Sequence, residues 1–109
     1  MSGSGGGSYG GGFESASTCE ALVIDTQLSS PKEDVVSKIK IGDELDVDVR
    51  QIGSTAVVVV LHNGSVAGGI AAPQVQKLRE CIAAGTTYIA KVTSKSDGQV
   101  RVRIASVVQ

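Results

Sequence analysis

Residues 45–70 read LDVDVRQIGSTAVVVVLHNGSVAGGI, and this run predicts three consecutive strands joined by two tight turns. Apolar and charged residues alternate over 45–50, which is the period of a half-exposed strand. Residues 56–61 are apolar throughout, which indicates a central strand buried on both faces. Gly53-Ser54 and Asn63-Gly64 are two-residue hairpin signals. The predicted cross-strand pairs are Val49 with Val58, Val47 with Val60, Leu61 with Val66 and Val57 with Ile70.

The sequence on either side predicts three further strands and two short helices. Ser30 is the predicted N-cap of a first helix that ends near Lys40. Pro73 suits the first turn of a second helix, which Gly85 ends. The six predicted strands lie at 19–25, 45–49, 56–61, 65–70, 87–95 and 99–107.

The last two strands predict a hairpin around Ser96-Asp97-Gly98. A two-residue loop would set Val92 opposite Arg103 and mix the apolar face with the charged one. A three-residue loop with Gly98 in the left-handed region keeps the faces apart, because it sets Val92 opposite Val102 and Ala90 opposite Ile104. We therefore expect the three-residue loop.

The resulting fold class is mainly β (α+β), with the element order β-α-β-β-β-α-β-β over residues 19–109. We expect about six antiparallel strands in a small curled sheet or barrel, because closing so small a sheet hides its edges. Residues 1–18 form a predicted disordered Gly/Ser-rich tail, since seven of the 14 glycines lie in the first 13 positions. Tyr9 and Phe13 of this tail are either partner-docking anchors or part of a flexible remnant.

The cysteines and the hydropathy bear on the cellular compartment. Cys19 and Cys81 are predicted to be reduced, buried thiols, with one disulfide between them as the alternative. No apolar run approaches the length of about 18 residues that a membrane span needs, and no secretory signal is visible. We therefore expect a cytoplasmic protein that does not contact membranes.

The sequence predicts no enzyme, and no catalytic residue, metal ligand or cofactor is assigned. His62 is the one histidine and adjoins a hairpin turn, where a solvated side chain is the usual finding. Asp46 and Asp48 share the exposed face of a strand, whereas a general acid needs a buried carboxyl.

Charge is divided unevenly along the chain. Residues 14–48 hold nine acidic residues and three lysines, while residues 49–109 hold seven basic residues and two acidic ones. This division predicts one acidic and one basic surface patch. The candidate anion-binding or nucleic-acid-binding residues are Lys91, Lys95, Arg101 and Arg103. Alternatively, Asp46 and Asp48 neutralise them within the fold.

The middle of the chain resembles the HIRAN domain, a small β-barrel module that occurs alone in bacteria or attached to DNA-remodelling and repair enzymes. An aliphatic run, a turn with glycine, a small-residue return strand, a helix and another strand carry the resemblance, at residues 57–61, 63–64, 66–70, 75–84 and 88–92. Ile41-Gly42-Asp43 also resembles the entry of that family into a barrel strand. The resemblance implies a bacterial accessory module.

We expect a non-enzymatic interaction or accessory module that binds a protein partner. The alternative is binding of single-stranded DNA or DNA ends through the basic C-terminal hairpin. Proteins that bind single strands combine a positive groove with aromatic stacking platforms, and Tyr88 is the single aromatic residue after the tail.

Overall fold

Six antiparallel strands and three short helices make up residues 16–107, the part of the chain that the computed structural model describes. The strands form one sheet in the order β1-β6-β5-β2-β3-β4. The elements are α1 (Ala16–Ala21), β1 (Val23–Gln27), α2 (Glu33–Val36), β2 (Glu44–Ile52), β3 (Thr55–His62), β4 (Ser65–Gly69), α3 (Val75–Ala83), β5 (Tyr88–Ser96) and β6 (Gln99–Ser106). The prediction of a mainly β fold is confirmed. The strands form a single sheet that does not close into a barrel.

The edges of the sheet nevertheless approach each other beyond the end of β1. Ser29 and Gly69 form an isolated antiparallel bridge, with both N–H···O distances at 2.8 Å. The N–H of Lys32 also donates to the carbonyl of Ala67 at 2.8 Å. Residues 29–32 therefore cover the backbone of β4, which is otherwise an edge strand.

The β2–β3 register agrees with the sequence prediction. Val49 pairs with Val58, and Val47 pairs with Val60. Glycine suits the intervening turn because the φ of Gly53 is +63°. This pairing places Val47 and Val49 on the same face of the sheet as Val58 and Val60.

The β3–β4 hairpin departs from the prediction in its second half. Leu61 pairs with Val66 as expected, but the register then shifts between Val60 and Leu61. Gly69 consequently pairs with Val59, and the predicted pairing of Val57 with Ile70 is wrong. One extra residue in β4 forms a β-bulge, which a simple count from the turn does not reveal.

The β5–β6 hairpin has the predicted pairs but not the predicted loop. Val92 pairs with Val102, and Ala90 pairs with Ile104. The loop has two residues, because Ser96 pairs with Gln99 and both turn residues have positive φ. The register shift falls between Val92 and Ser94, so a bulge within β5 supplies the extra residue that we assigned to the loop.

The N-terminal elements differ most from the prediction. Residues 19–21 belong to α1 and not to the first strand, and α1 also includes residues 16–18 of the predicted tail. The predicted helix from Ser30 to Lys40 is reduced to the four residues of α2. Ser30 has a φ of +49°, whereas an N-cap is extended, and the contacts of residues 29–32 with β4 prevent an earlier helix start.

The second predicted helix corresponds to α3. The helix ends where Gly85 adopts a φ of +106°, and the N–H of Thr86 donates to the carbonyl of Cys81 at 3.0 Å. Leu78 and Cys81 of α3 are buried in the core.

The core combines the inner face of the sheet with residues from the helices. Val60, Val102 and Ile104 have no exposed surface, and Leu78 of α3 is equally buried. β3 is buried on both faces as predicted at residues 58–61, but it lies beside the edge strand β4. The two central strands of the sheet are β5 and β2.

A disulfide between Cys19 and Cys81 joins α1 to α3, so the prediction of reduced thiols is wrong. The two Cα atoms are 5.5 Å apart. The hydroxyl of Tyr88 donates to the carbonyl of Cys19 at 2.5 Å, which satisfies a buried polar group beneath α1. The bond and this contact together fix a six-residue helix that is too short to be stable alone.

Reduction of Cys19–Cys81 should lower the free energy of unfolding by about 4 kcal/mol, because the bond closes a loop of 62 residues. Urea denaturation of the wild type with and without dithiothreitol measures this change. The Cys19→Ala/Cys81→Ala variant is the control, since dithiothreitol should not move its midpoint. Equal wild-type midpoints under both conditions would contradict the disulfide.

Val58→Asp should destabilise the fold by several kcal/mol, since Val58 is 1% exposed and the new carboxylate would be buried without a partner. Ile52→Asp makes a comparable change in the same hairpin at a side chain that is 63% exposed, and should cost about 1 kcal/mol or less. Thermal denaturation compares the two variants. Similar melting temperatures for both would refute the inward orientation of Val58.

Candidate functional site

The outer face of the sheet, opposite the core, carries charges of both signs. Strand alternation directs the side chains that lie between the buried positions of β2, β5 and β6 to this face. The basic residues here are Arg50, Lys91, Arg101 and Arg103, and the acidic residues of β2 are Glu44, Asp46 and Asp48. The acidic and basic patches that the charge division predicts are therefore neighbours on one surface.

The structure brings together three of the four predicted basic residues. Lys91 pairs with Arg103 across β5 and β6, and Arg101 lies two residues along the same face of β6. Lys95 lies elsewhere, because the bulge in β5 reverses the alternation and places Lys95 opposite the buried Val100. Its Nζ donates to the carbonyl of Ile39 at 2.8 Å.

The charged groups of the outer face differ in their ion pairs. Arg103 Nε lies 3.3 Å from Asp25 Oδ1, and both side chains are more than half exposed. Asp48 pairs with Arg50 of its own strand at 3.6 Å. Neutralisation thus involves Asp25 of β1 and not the expected Asp46 and Asp48. Within residues 16–107, no carboxylate forms an ion pair with Lys91 or Arg101.

A groove of about 510 Å³ lies over β5, β6 and the start of β2, and we call it the mixed groove. Apolar side chains and charged side chains both line it. Its lining residues are Glu44, Ile89, Lys91, Arg103, Ala105, Ser106 and Val107. A groove of this volume is within the range of ligand-binding clefts.

The apolar lining of the mixed groove was not predicted from the sequence. Ile89 and Ala105 pair with each other at outward positions of β5 and β6, and Val107 follows the end of β6 with 38% of its surface exposed. Alternation assigns Ile89 to the outward face as readily as it assigns Lys91. An apolar residue at an outward position two residues before Lys91 was therefore the available signal.

A second groove, of about 380 Å³, lies beside β3 and β4. Its lining is mostly apolar and includes Ile52, Val57 and Val66. None of the sequence-predicted site residues lines this groove.

The aromatic residues do not provide a stacking platform in the described part of the chain. Tyr88 is 1% exposed, and burial raises the pKa of its phenol. Its hydroxyl is bonded to the carbonyl of Cys19, so the ring is fixed beneath α1. Tyr9 and Phe13 lie outside the described residues.

Lys95→Gln should lower the free energy of unfolding by about 1–2 kcal/mol, because the part-buried Ile39 carbonyl would lose a charged donor. Lys91→Gln on the same strand should change it by less than about 0.5 kcal/mol, because Lys91 is exposed. Urea denaturation of both variants measures the difference. Equal effects would show that the contact of Lys95 does not contribute to stability.

No protein-family model, curated protein or solved structure matches the chain. Within residues 16–107, no helix is long and apolar enough to cross a membrane. The same residues contain no group of three or more histidine, cysteine, aspartate or glutamate side chains that could hold a metal ion. The geometry of the mixed groove is therefore the basis for assigning a function.

Proposed function

We propose that the chain is a non-enzymatic interaction module that binds a protein partner through the mixed groove. The observation that carries this proposal is Lys91, a cation that lies at the rim of a groove with apolar lining and forms no ion pair within residues 16–107. The partner that fits is a peptide segment with an apolar side chain next to an acidic one.

The two parts of the groove have different tasks in this proposal. Ile89, Ala105 and Val107 offer apolar surface whose burial against a partner is favourable. Covering Lys91 removes water from its ammonium group, which is costly unless an acidic group replaces the water. The apolar lining thus contributes affinity, and Lys91 contributes selectivity for an acidic segment.

Binding is better supported than catalysis because the candidate catalytic groups are exposed or isolated. Asp46 and Asp48 lie on the exposed face of β2, where solvent reaches both carboxylates. His62 is half-buried at the turn between β3 and β4 and does not line the mixed groove. General acid–base catalysis usually needs such a group within a cleft beside the substrate.

DNA binding is the second candidate function. Lys91, Arg101 and Arg103 lie on one face, and this arrangement favours it. Lys95 donates a hydrogen bond to a backbone carbonyl, and Arg103 forms an ion pair with Asp25. Two of the four predicted phosphate-binding residues therefore already have a partner within the fold. The HIRAN-like resemblance, and the bacterial accessory role that it implies, are part of the proposed function as an interaction module.

The predicted cytoplasmic location depended in part on reduced cysteines. Because Cys19 and Cys81 are bonded, that expectation loses the support it drew from the cysteines, since structural disulfides persist mainly in oxidising compartments. The proposed function does not depend on the compartment, since neither cysteine lines the mixed groove.

Selection of displayed random peptides on the immobilised full chain tests the proposal. We expect peptides that combine apolar and acidic residues, and Lys91→Glu should weaken their binding at least tenfold, or about 1.4 kcal/mol. Lys40→Glu is the matched control, because Lys40 is exposed, does not line the mixed groove, and gives the same change of net charge.

Failure to enrich peptides, or equal binding by the two variants, would overturn the protein-binding function. Binding of labelled oligothymidylate that weakens steeply with salt and is lost in Arg101→Glu would support the DNA alternative.

A further inference from the structure

The mixed groove holds charges of opposite sign at neighbouring positions. Glu44 of β2 and Lys91 of β5 are register partners in the sheet, and both side chains are exposed. Side chains at directly opposed positions of an antiparallel pair lie close enough to interact. Within residues 16–107, however, neither Glu44 nor Lys91 forms an ion pair. Both charges are therefore available to a partner.

Apolar side chains adjoin this pair of charges. Ile89 and Ala105 pair with each other across β5 and β6, and each keeps part of its surface exposed. Val107 extends the apolar surface beyond the end of β6. A partner that covers the whole groove must therefore bring an acidic group, a basic group and apolar surface.

A second copy of the chain meets this requirement with its own mixed groove. Two identical surfaces associate about a two-fold axis, so every contact between two different residues occurs twice. An axis that runs parallel to the strands, between β2 and β5, sets β5 of each copy over β2 of the other. Because Glu44 and Lys91 lie at the same level of the sheet, Lys91 of each copy then faces Glu44 of the other.

The second groove does not have this self-complementarity. Among the described residues of its lining, Lys32 alone carries a charge. Two copies that met there would bring lysines together without an acidic group from either groove. The balance of charges therefore favours the mixed groove as a contact between copies.

We propose that the protein forms a two-fold symmetric dimer in which the mixed grooves of two copies face each other. Lys91 of each copy pairs with Glu44 of the other, and the two sheets cover Ile89, Ala105 and Val107 between them. Sheets stack face to face in the same way in β-sandwiches. The inference rests on the proposed function, because it names the partner of the same site.

Sedimentation velocity across a dilution series up to millimolar concentration tests the dimer. The wild type should self-associate. Lys91→Glu alone, or Glu44→Lys alone, should weaken association about tenfold or more, because each sets like charges against each other at both contacts. Lys40→Glu and Glu33→Lys are the matched controls, since they change the net charge equally at exposed residues outside the groove. Each control should associate like the wild type.

A mixture of Lys91→Glu chains with Glu44→Lys chains gives the sharpest result. Every contact between the two variants again joins an acidic and a basic group, so the mixture should form a heterodimer about as stable as the wild-type dimer. The double variant Glu44→Lys/Lys91→Glu should likewise dimerise. Both residues are exposed, so the melting temperature of each variant should stay close to that of the wild type.

A wild type that stays monomeric at millimolar concentration would overturn the inference, and so would a mixture of the two variants that stays monomeric. Self-association that neither single variant weakens would also overturn it, because another surface would then join the copies.

Peptide selection separates this inference from the proposed function. A monomeric wild type that binds selected peptides through Lys91 would overturn the inference and leave the proposed function intact. A dimer that the mixed variants restore, with no peptide enriched, would overturn recognition of a separate partner and leave the inference intact.

Discussion

The pairing of β2 with β3 determines the positions of both the core and the candidate site. Val47 and Val49 oppose Val60 and Val58, and their burial holds this register, because a slip of one residue would turn every side chain of a strand to the other face. β2 in turn pairs with β5 through Leu45 and Ala90. A register fixed by buried valines thus brings charged and apolar groups together on the opposite side of the sheet.

Local signals made about half of this architecture predictable. Gly53-Ser54 and Asn63-Gly64 fixed two turns, and alternation fixed the orientation of most strand residues. The failures in the N-terminal elements have a shared cause, which is contact between parts of the chain that are distant in sequence. Residues 29–32 are extended because they pair with β4. Cys19 is helical because it belongs to α1, which its disulfide joins to α3.

The candidate site was predictable to the extent that alternation continued unbroken. Lys91, Arg101 and Arg103 lie where alternation placed them. The bulge after Val92 turned Lys95 to the other face, and nothing in the sequence of β5 indicated that bulge. The apolar residues Ile89 and Ala105 were overlooked because the charge division drew attention to the basic residues alone.

The covalent loop between Cys19 and Cys81 has a further consequence for the integrity of the chain. It includes β1, α2, β2, β3 and β4, whereas β5 and β6, which carry most of the mixed groove, lie outside it. A protease that cuts once anywhere inside the loop leaves two fragments still joined by sulfur. The cut chain therefore migrates as one molecule until it is reduced, whereas a cut in the Asp97-Gly98 turn separates β6 immediately once the fold is denatured.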